Sequence, residues 1–144
     1  MNYLLDTCVL SEFIRHQPDE RVIQWMDGMD ESKLFLSVIT IGEIHRGIER
    51  LPESRRKNEL IAWLNDVLVN RFDRRIVNID VPSMFLWGSL TVRMESKRLP
   101  VVRKPMSVMD SLIAASALHQ NMIIVTRNVT HFQSCGVQVV NPWE

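Results

Sequence analysis

The chain has 144 residues and an apolar fraction of 46%, which suits one globular domain and argues against disorder. Its 17 basic residues balance its 17 acidic residues, so the net charge gives no reason to expect a nucleic-acid partner, and any basic surface must be local. The sequence has no basic segment ahead of a long apolar stretch and no apolar run of about 18 residues, so we expect a cytoplasmic protein without membrane contact.

Short apolar runs alternate with longer amphipathic runs along the chain. The short runs predict five strands: Tyr3–Leu5, Leu34–Val38, Ile76–Ile79, Met122–Thr126 and Val137–Val140. The longer runs predict five helices: Cys8–Arg15, Ile41–Arg50, Arg56–Phe72, Met84–Lys97 and Val108–Gln120. Apolar strands separated by helices favour a single α/β domain over residues 1–144. Its sheet is expected to be mainly parallel, with about five strands and with helices on both faces.

An aspartate stands where the first predicted strand meets the first predicted helix. Asp6 ends the apolar run in MNYLLDTCVLSE, beside a strand that is expected to be buried. A carboxylate in such a place costs several kcal/mol unless it caps the helix, pairs with a cationic side chain or binds a metal ion. Ligands of open α/β sheets bind at the carboxyl ends of the strands, so this junction is a candidate site.

Two more acids and an amide occupy similar junctions further along the chain. Glu43, in SVITIGEIHRGIE, lies past the second strand in the first turn of its predicted helix. Asp110, in PMSVMDSLIAASAL, lies in the first turn of the last predicted helix, and Asn128, in IIVTRN, ends the fourth strand. Each has a structural alternative, because Thr40-x-x-Glu43 and Ser107-x-x-Asp110 have the form of capping boxes and asparagine is common in turns.

Taken together, the three acids favour a bound cation. Helix capping does not require that all of them fall at one edge of the sheet, and converging carboxylates repel one another unless a cation or shared protons offset the charge. Oxygen ligands without His or Cys suit Mg²⁺, with Mn²⁺ also plausible. Water beside such an ion is a nucleophile suited to a phosphodiester. We therefore expect a metal site that contains Asp6, Glu43 and Asp110.

Four segments carry a resemblance to a known family. LLDTCVLSE, SVITIGEIHRGIE, VMDSLIAASAL and IVTRNVTHF resemble, in the same order, the VapC-type toxins of the PIN-domain ribonuclease family, particularly its FitB-like branch. The resemblance spans essentially the whole chain. It implies a Rossmann-like PIN fold, Mg²⁺- or Mn²⁺-dependent endoribonuclease activity on RNA, and a cognate antitoxin that blocks the site. It also implies a homodimer, a toxin–antitoxin hetero-oligomer, and contact with operator DNA only through the antitoxin.

The resemblance assigns roles by position. Asp6, Glu43 and Asp110 match the family's acidic metal-binding residues, and Asn128 matches a fourth acid of some members. Asp6 and Asp110 would hold the metal, and Glu43 would help to hold it or accept a proton from the attacking water. Because asparagine lacks a charge, one well-held ion is expected. The hydroxyls of Thr7 and Thr126 are candidates to orient a water or a phosphate, with ordinary backbone bonding as the alternative.

The candidate RNA-binding residues are basic and lie mainly in SKRLPVVRKPMS, which we predict to be a loop. They would contact phosphates beside the metal, and a solvated surface is the alternative. The set is Arg93, Lys97, Arg98, Arg103, Lys104 and, next to Asn128, Arg127.

A partner-binding groove is predicted after the first helix, where Trp25, Met26 and Met29 would accept an amphipathic helix. His45 and His131 have no metal-ligand spacing, and we interpret both as structural or surface residues.

Other classes of function were weighed on the same residues. A haloacid-dehalogenase-type phosphatase needs a second aspartate two residues after the first, where Cys8 stands, and a response-regulator receiver needs a late lysine, whereas no lysine follows Lys104. A non-catalytic PIN-like binding module stays open. In such a module the acids would be helix caps, and the protein would act within an antitoxin/DNA repressor complex.

Overall fold

A parallel sheet of five strands forms the centre of the protein. The computed structural model describes residues 1–96 and 106–144. The strand order is β3-β2-β1-β4-β5, and every neighbouring pair is parallel, which confirms the predicted sheet. The strands are β1 (Tyr3–Leu5), β2 (Leu34–Ser37), β3 (Ile76–Val77), β4 (Ile123–Val125) and β5 (Val139–Val140).

Helices connect the strands and include two short ones that the sequence pattern does not predict, α2 and α8. The helices are α1 (Thr7–Glu12), α2 (Glu20–Asp27), α3 (Val38–Glu49), α4 (Arg55–Ala62), α5 (Val69–Arg71), α6 (Val81–Ser96), α7 (Val108–Gln120) and α8 (Val129–Gln133). A 3₁₀ turn, Glu31–Lys33, precedes β2. None of the helices in the described part of the chain is long and apolar enough to cross a membrane.

Side chains of the central strands alternate between two apolar layers. Leu5 of β1, Leu36 of β2 and Val125 of β4 belong to one layer, together with residues of α1 to α4. Leu4 of β1 and Ile124 of β4 belong to the other layer, together with residues of α6 and α7. Leu4 and Leu5 are both fully buried. The two layers confirm that helices cover both faces of the sheet, as near-continuous apolar strands predict.

Helix α3 begins earlier than predicted, which changes the position of Glu43. The hydroxyl of Ser37 accepts a hydrogen bond from the backbone N–H of Ile39 at 3.0 Å, so Ser37 is the N-cap. Thr40 therefore lies inside the helix, and its predicted capping box with Glu43 is wrong. Glu43 occupies the second turn of α3 instead of the first.

The long helix predicted over Arg56–Phe72 is present over residues 55–71, but it is not uniform. A π-helical segment, Trp63–Leu68, stands between α4 and α5. At the start of this element, Lys57 is buried, and its Nζ donates to the carbonyl oxygens of Glu49 and Leu51. Lys57 thus closes the carboxyl end of α3, where backbone carbonyls lack helical partners.

Candidate active site

Asp6 lies at the carboxyl end of the central strand with its carboxylate almost fully buried, at 3% exposure. One oxygen, Oδ1, accepts a hydrogen bond from the backbone N–H of Thr7 at 2.9 Å. The other, Oδ2, accepts one from the Thr126 hydroxyl at 2.7 Å. No lysine or arginine in residues 1–96 and 106–144 forms an ion pair with Asp6. Oδ2 also lies 3.7 Å from the Cys8 thiol, whereas Oδ1 accepts only the capping bond from Thr7, so capping does not exhaust the carboxylate.

Glu43 is held beside Asp6 by the first residue of α1. The Thr7 hydroxyl donates a hydrogen bond to Oε1 of Glu43 at 2.8 Å, across a sequence separation of 36 residues. Thr7 thus links the two acids: its backbone N–H bonds Asp6 and its hydroxyl bonds Glu43. This side-chain bond replaces the backbone bonding that was the alternative for Thr7.

Asp110 lies in the first turn of α7, which begins and ends where the sequence predicts. The Ser107 hydroxyl caps the helix by accepting from the backbone N–H of Asp110 at 3.1 Å. Burial and the negative charges of Asp6 and Glu43 raise the pKa of Asp110 from 3.8 to about 6. The pKa shift indicates that the three carboxylates share one electrostatic environment.

Thr126 connects Asp6 to Asn128. Its hydroxyl donates to Asp6 and accepts from the backbone N–H of Asn128 at 3.0 Å. The side chain of Asn128 is exposed and makes no capping hydrogen bond to α8. Its amide oxygen is therefore free for a ligand, although it lacks the charge of a carboxylate.

The three acids do not converge on a single point. In the described ranges, no group of three His, Cys, Asp or Glu side chains is close enough to hold one metal ion together. The arrangement therefore suits an ion that keeps much of its water shell and takes only one or two carboxylates directly, as Mg²⁺ commonly does.

Two of the six candidate RNA-binding residues, Arg93 and Arg127, lie in the described part of the chain. Arg93 is exposed in the last turn of α6. Arg127 is exposed, and its guanidinium stacks over the ring of Trp143 at 4.2 Å from the centroid. The remaining candidates, Lys97, Arg98, Arg103 and Lys104, lie outside the described residues.

His131, which the sequence pattern led us to interpret as a structural or surface residue, lies near Asp110. It lies on α8, three residues after Asn128, and is half-buried. Its positive charge, when protonated, lowers the pKa of Asp110, so the imidazole lies within electrostatic range of that carboxylate. In the sequence, only its position in the segment RNVTHF, just past the fourth strand, indicates that His131 lies near the site.

An apolar cleft of about 200 Å³ opens between α1, α2 and the π-helical segment. Met26 lines it, as predicted, whereas Trp25 and Met29 pack against the core. The other residues of the cleft come from segments that the sequence did not connect: Leu10, Phe13, Trp63, Val67, Leu68, Arg71 and Phe72.

The fold and the site together define a class. A parallel sheet in this order, with acids beside the carboxyl end of its central strand, is a Rossmann-like α/β domain. The chain belongs to the PIN domain family, whose model matches residues 3–134.

Individual relatives extend this assignment over the full chain. The chain is 33% identical over 141 residues to the plasmid stability protein StbB of Pseudomonas syringae pv. tomato, covering 98% of each. It is 32% identical over 140 residues to the toxin FitB of Neisseria gonorrhoeae, covering 97% of each. It is 27% identical over 141 residues to the VapC ribonuclease Y4jK of Sinorhizobium fredii, covering 98% of this chain and 97% of that protein.

A solved structure agrees with the fold. The crystal structure of FitAcB from Neisseria gonorrhoeae matches with a TM-score of 0.90 at 32% identity, covering 99% of each chain.

Proposed function

We propose that the protein is the toxin of a toxin–antitoxin pair and acts as a metal-dependent endoribonuclease that its antitoxin inhibits. The observation that carries the proposal is the placement of three acids at one region of the sheet edge: Thr7 bonds both Asp6 and Glu43, and burial, together with the charges of these two acids, raises the pKa of Asp110 to about 6. Mutual repulsion of this kind destabilises the metal-free protein and is relieved by a cation. Relatives named as a toxin and as a VapC ribonuclease support the same activity.

The donor set fits Mg²⁺ or Mn²⁺. Asp6 and Asp110 supply carboxylate oxygens, and the ion's own waters would reach Glu43 and the Asn128 amide. When bound, a divalent cation offsets charge on the scissile phosphate and lowers the pKa of water beside it.

The residues of the chain then have separate tasks. Thr126 and the N–H of Thr7 orient the Asp6 carboxylate, and the Thr7 hydroxyl fixes one oxygen of Glu43. The other oxygen of Glu43 is left to accept a proton from the attacking water. Arg93 and Arg127 are exposed cations that we assign to RNA phosphates, together with Lys97, Arg98, Arg103 and Lys104 of the intervening basic segment.

The apolar cleft suits an amphipathic helix of the antitoxin. A second depression of about 300 Å³ shares Phe13 and Trp63 with the cleft and adds two basic residues, Arg15 and Arg56, and one acid, Glu59. With Arg71 on the cleft side, basic groups flank an apolar groove. We infer that the antitoxin presents an apolar stripe with acidic neighbours, and that any contact with operator DNA is made by the antitoxin.

A second copy of the chain fits the exposed face of α6. Phe85 is 76% exposed, and Val81 and Val92 lie on the same helical stripe, at 66% and 63%. Antiparallel pairing of two α6 helices would place Val81 opposite Val92 and Phe85 opposite Gly88, where a side chain meets open space. The same register brings Asp80 opposite Arg93. We therefore infer a homodimer through this stripe.

Expression in cells tests the proposal. Induced expression of the chain alone should arrest growth and fragment cellular RNA, whereas Asp110→Asn at equal protein level should do neither. Coexpressed antitoxin should protect the cells. A non-catalytic binding module would leave RNA intact for both chains, and that result would overturn the proposal.

A further inference from the structure

Three sulfur atoms meet beside α8, near the helix that carries Asp110. The thiol of Cys135 lies 3.4 Å from the thioether sulfur of Met94 and 3.5 Å from that of Met106. It also lies 3.6 Å from the carbonyl oxygen of His131. Cys135 is 6% exposed, and both methionines pack against the same core layer.

One proton cannot satisfy this arrangement. A thiol has a single weak donor, and here three acceptors lie within its reach, so at least two of the contacts are not hydrogen bonds. Both thioether sulfurs thus approach one thiol that holds a single hydrogen. A soft cation in place of that proton would interact with all three sulfurs at once.

Thiolate and thioether sulfurs together select soft monovalent metals. We propose that Cys135, Met94 and Met106 form a binding site for one Cu⁺ or Ag⁺ ion. On binding, the S–H bond of Cys135 breaks, its proton passes to solvent, and a sulfur–metal bond forms without transfer of electrons. Burial and the charge of Asp110 raise the pKa of the Cys135 thiol, so the empty site keeps its proton at neutral pH.

The chain contains an internal comparison. Cys8 is also a free thiol, but its neighbours are the Asp6 carboxylate at 3.7 Å and the Thr126 hydroxyl at 3.6 Å. Oxygen is a poor ligand for a soft cation. Cys8 therefore serves as the comparison: its thiol has oxygen neighbours, whereas the thiol of Cys135 has two thioether neighbours.

The three ligands come from separate parts of the fold. Met94 lies on α6, Met106 precedes α7, and Cys135 follows α8. An ion would tie these elements together near the helix that carries Asp110. We therefore expect the metal to raise Tm, by about 4 °C or more at saturation.

Silver nitrate in chloride-free buffer is the probe, added to a Cys8→Ser chain so that only one thiol remains. One equivalent should bind, raise Tm and shift the NMR methyl signals of Met94 and Met106 but not those of the other six methionines. Met94→Leu with Met106→Leu conserves volume and should lower the affinity about tenfold or more. Met84→Leu, on the same helix as Met94, is the matched control and should change nothing.

Two results would overturn the site. One is silver affinity that is unchanged in the Met94→Leu, Met106→Leu chain, since a thiol alone would then explain binding. The other is binding without movement of the two methyl signals, which decides the question even if the double variant does not fold. Neither readout depends on RNA cleavage, so the metal site and the proposed function fail separately.

Discussion

At the scale of single residues, Asp6 combines two roles that the sequence presented as alternatives. It caps α1 through one oxygen and receives the Thr126 hydroxyl on the other. A carboxylate fixed on both sides loses little freedom when a metal ion binds, which favours binding. The capping hydrogen bond from Thr7 therefore orients the Asp6 carboxylate as a candidate metal ligand.

Substitutions of Thr126 should show how much the orientation of the Asp6 carboxylate contributes to stability and to cleavage. Thr126→Val keeps the shape of a fully buried side chain but removes the hydroxyl bond to Oδ2 of Asp6 and leaves the Asn128 N–H without an acceptor. We expect a loss of about 1–3 kcal/mol in the free energy of unfolding and about 10–100-fold lower cleavage. Thr126→Ser restores the hydroxyl and should recover most of both, as measured by urea denaturation and RNA cleavage. Equal loss in both variants would contradict the role of the hydroxyl.

The raised pKa of Asp110 predicts a pH dependence of stability. Its pKa of about 6 in the folded state lies above the usual 3.8, so ionisation costs stability as pH rises between these values. In metal-free protein with EDTA, Asp110→Asn should therefore raise Tm by a few degrees at about pH 7 and have little effect at about pH 4.

Added Mg²⁺ should reverse that order at neutral pH, because it stabilises the wild type and not the variant. Thermal unfolding at the two pH values, with and without Mg²⁺, measures both effects. The same Tm difference at both pH values would show that the pKa of Asp110 is not raised in the folded protein.

At the scale of elements, the bounds of a helix are predicted best where its cap, its apolar residues and its end all indicate the same limits. Helix α7 has a serine cap, an apolar body and Asn121 in the left-handed conformation after it, and its bounds are found correctly. Helix α3 is predicted too late because Val38 and Ile39 continue the apolar run of β2. Helix α2 is missed because it is short, half of its eight residues are polar and it buries only Val22. The π-helical segment has no signal in apolar spacing, since it changes the backbone without changing the pattern.

Lys57 of α4 donates hydrogen bonds to backbone carbonyls at the carboxyl end of α3, and this contact gives a prediction about stability. Lys57→Met keeps an apolar stem but leaves the carbonyls of Glu49 and Leu51 without their donor. We expect a loss of about 1–3 kcal/mol in the free energy of unfolding. The control is Arg55→Met on the same helix, which removes an exposed pair with Glu59 and should cost less than about 0.5 kcal/mol. Urea denaturation of both variants decides, and equal losses would contradict the capping role of Lys57.

At the scale of the whole molecule, the sequence predicts the sheet and the edge where the acids lie. Parallel strands place their carboxyl ends together, so Asp6, Glu43, Asp110 and Asn128 could be assigned to one region without coordinates. The apolar cleft could not be assigned in this way. Its walls come from α1, α2 and the π-helical segment, and their meeting depends on packing rather than on local pattern.

The exposed stripe of α6 predicts the oligomeric state. Phe85→Glu places a charge in the centre of the proposed interface and should convert a dimer to a monomer without unfolding it, because the side chain is exposed in one chain. Light scattering during gel filtration measures the mass. Leu51→Glu, at another exposed apolar position, is the control and should remain dimeric. A dimer that persists with Phe85→Glu would place the interface elsewhere.

The central claim is that the acidic site of this PIN domain cleaves RNA with the help of a divalent cation. The most direct measurement is the cleavage of total RNA by the purified protein with Mg²⁺, with Mn²⁺ and with EDTA, beside Asp6→Asn. We predict discrete fragments that require the metal and vanish in the variant, which should remain folded because the Asn oxygen can still accept from the Thr7 N–H and its NH₂ group can donate to the Thr126 hydroxyl. Intact RNA under every condition, from a wild type whose Tm does not respond to either metal, would contradict the claim and leave Asp6 as a helix cap.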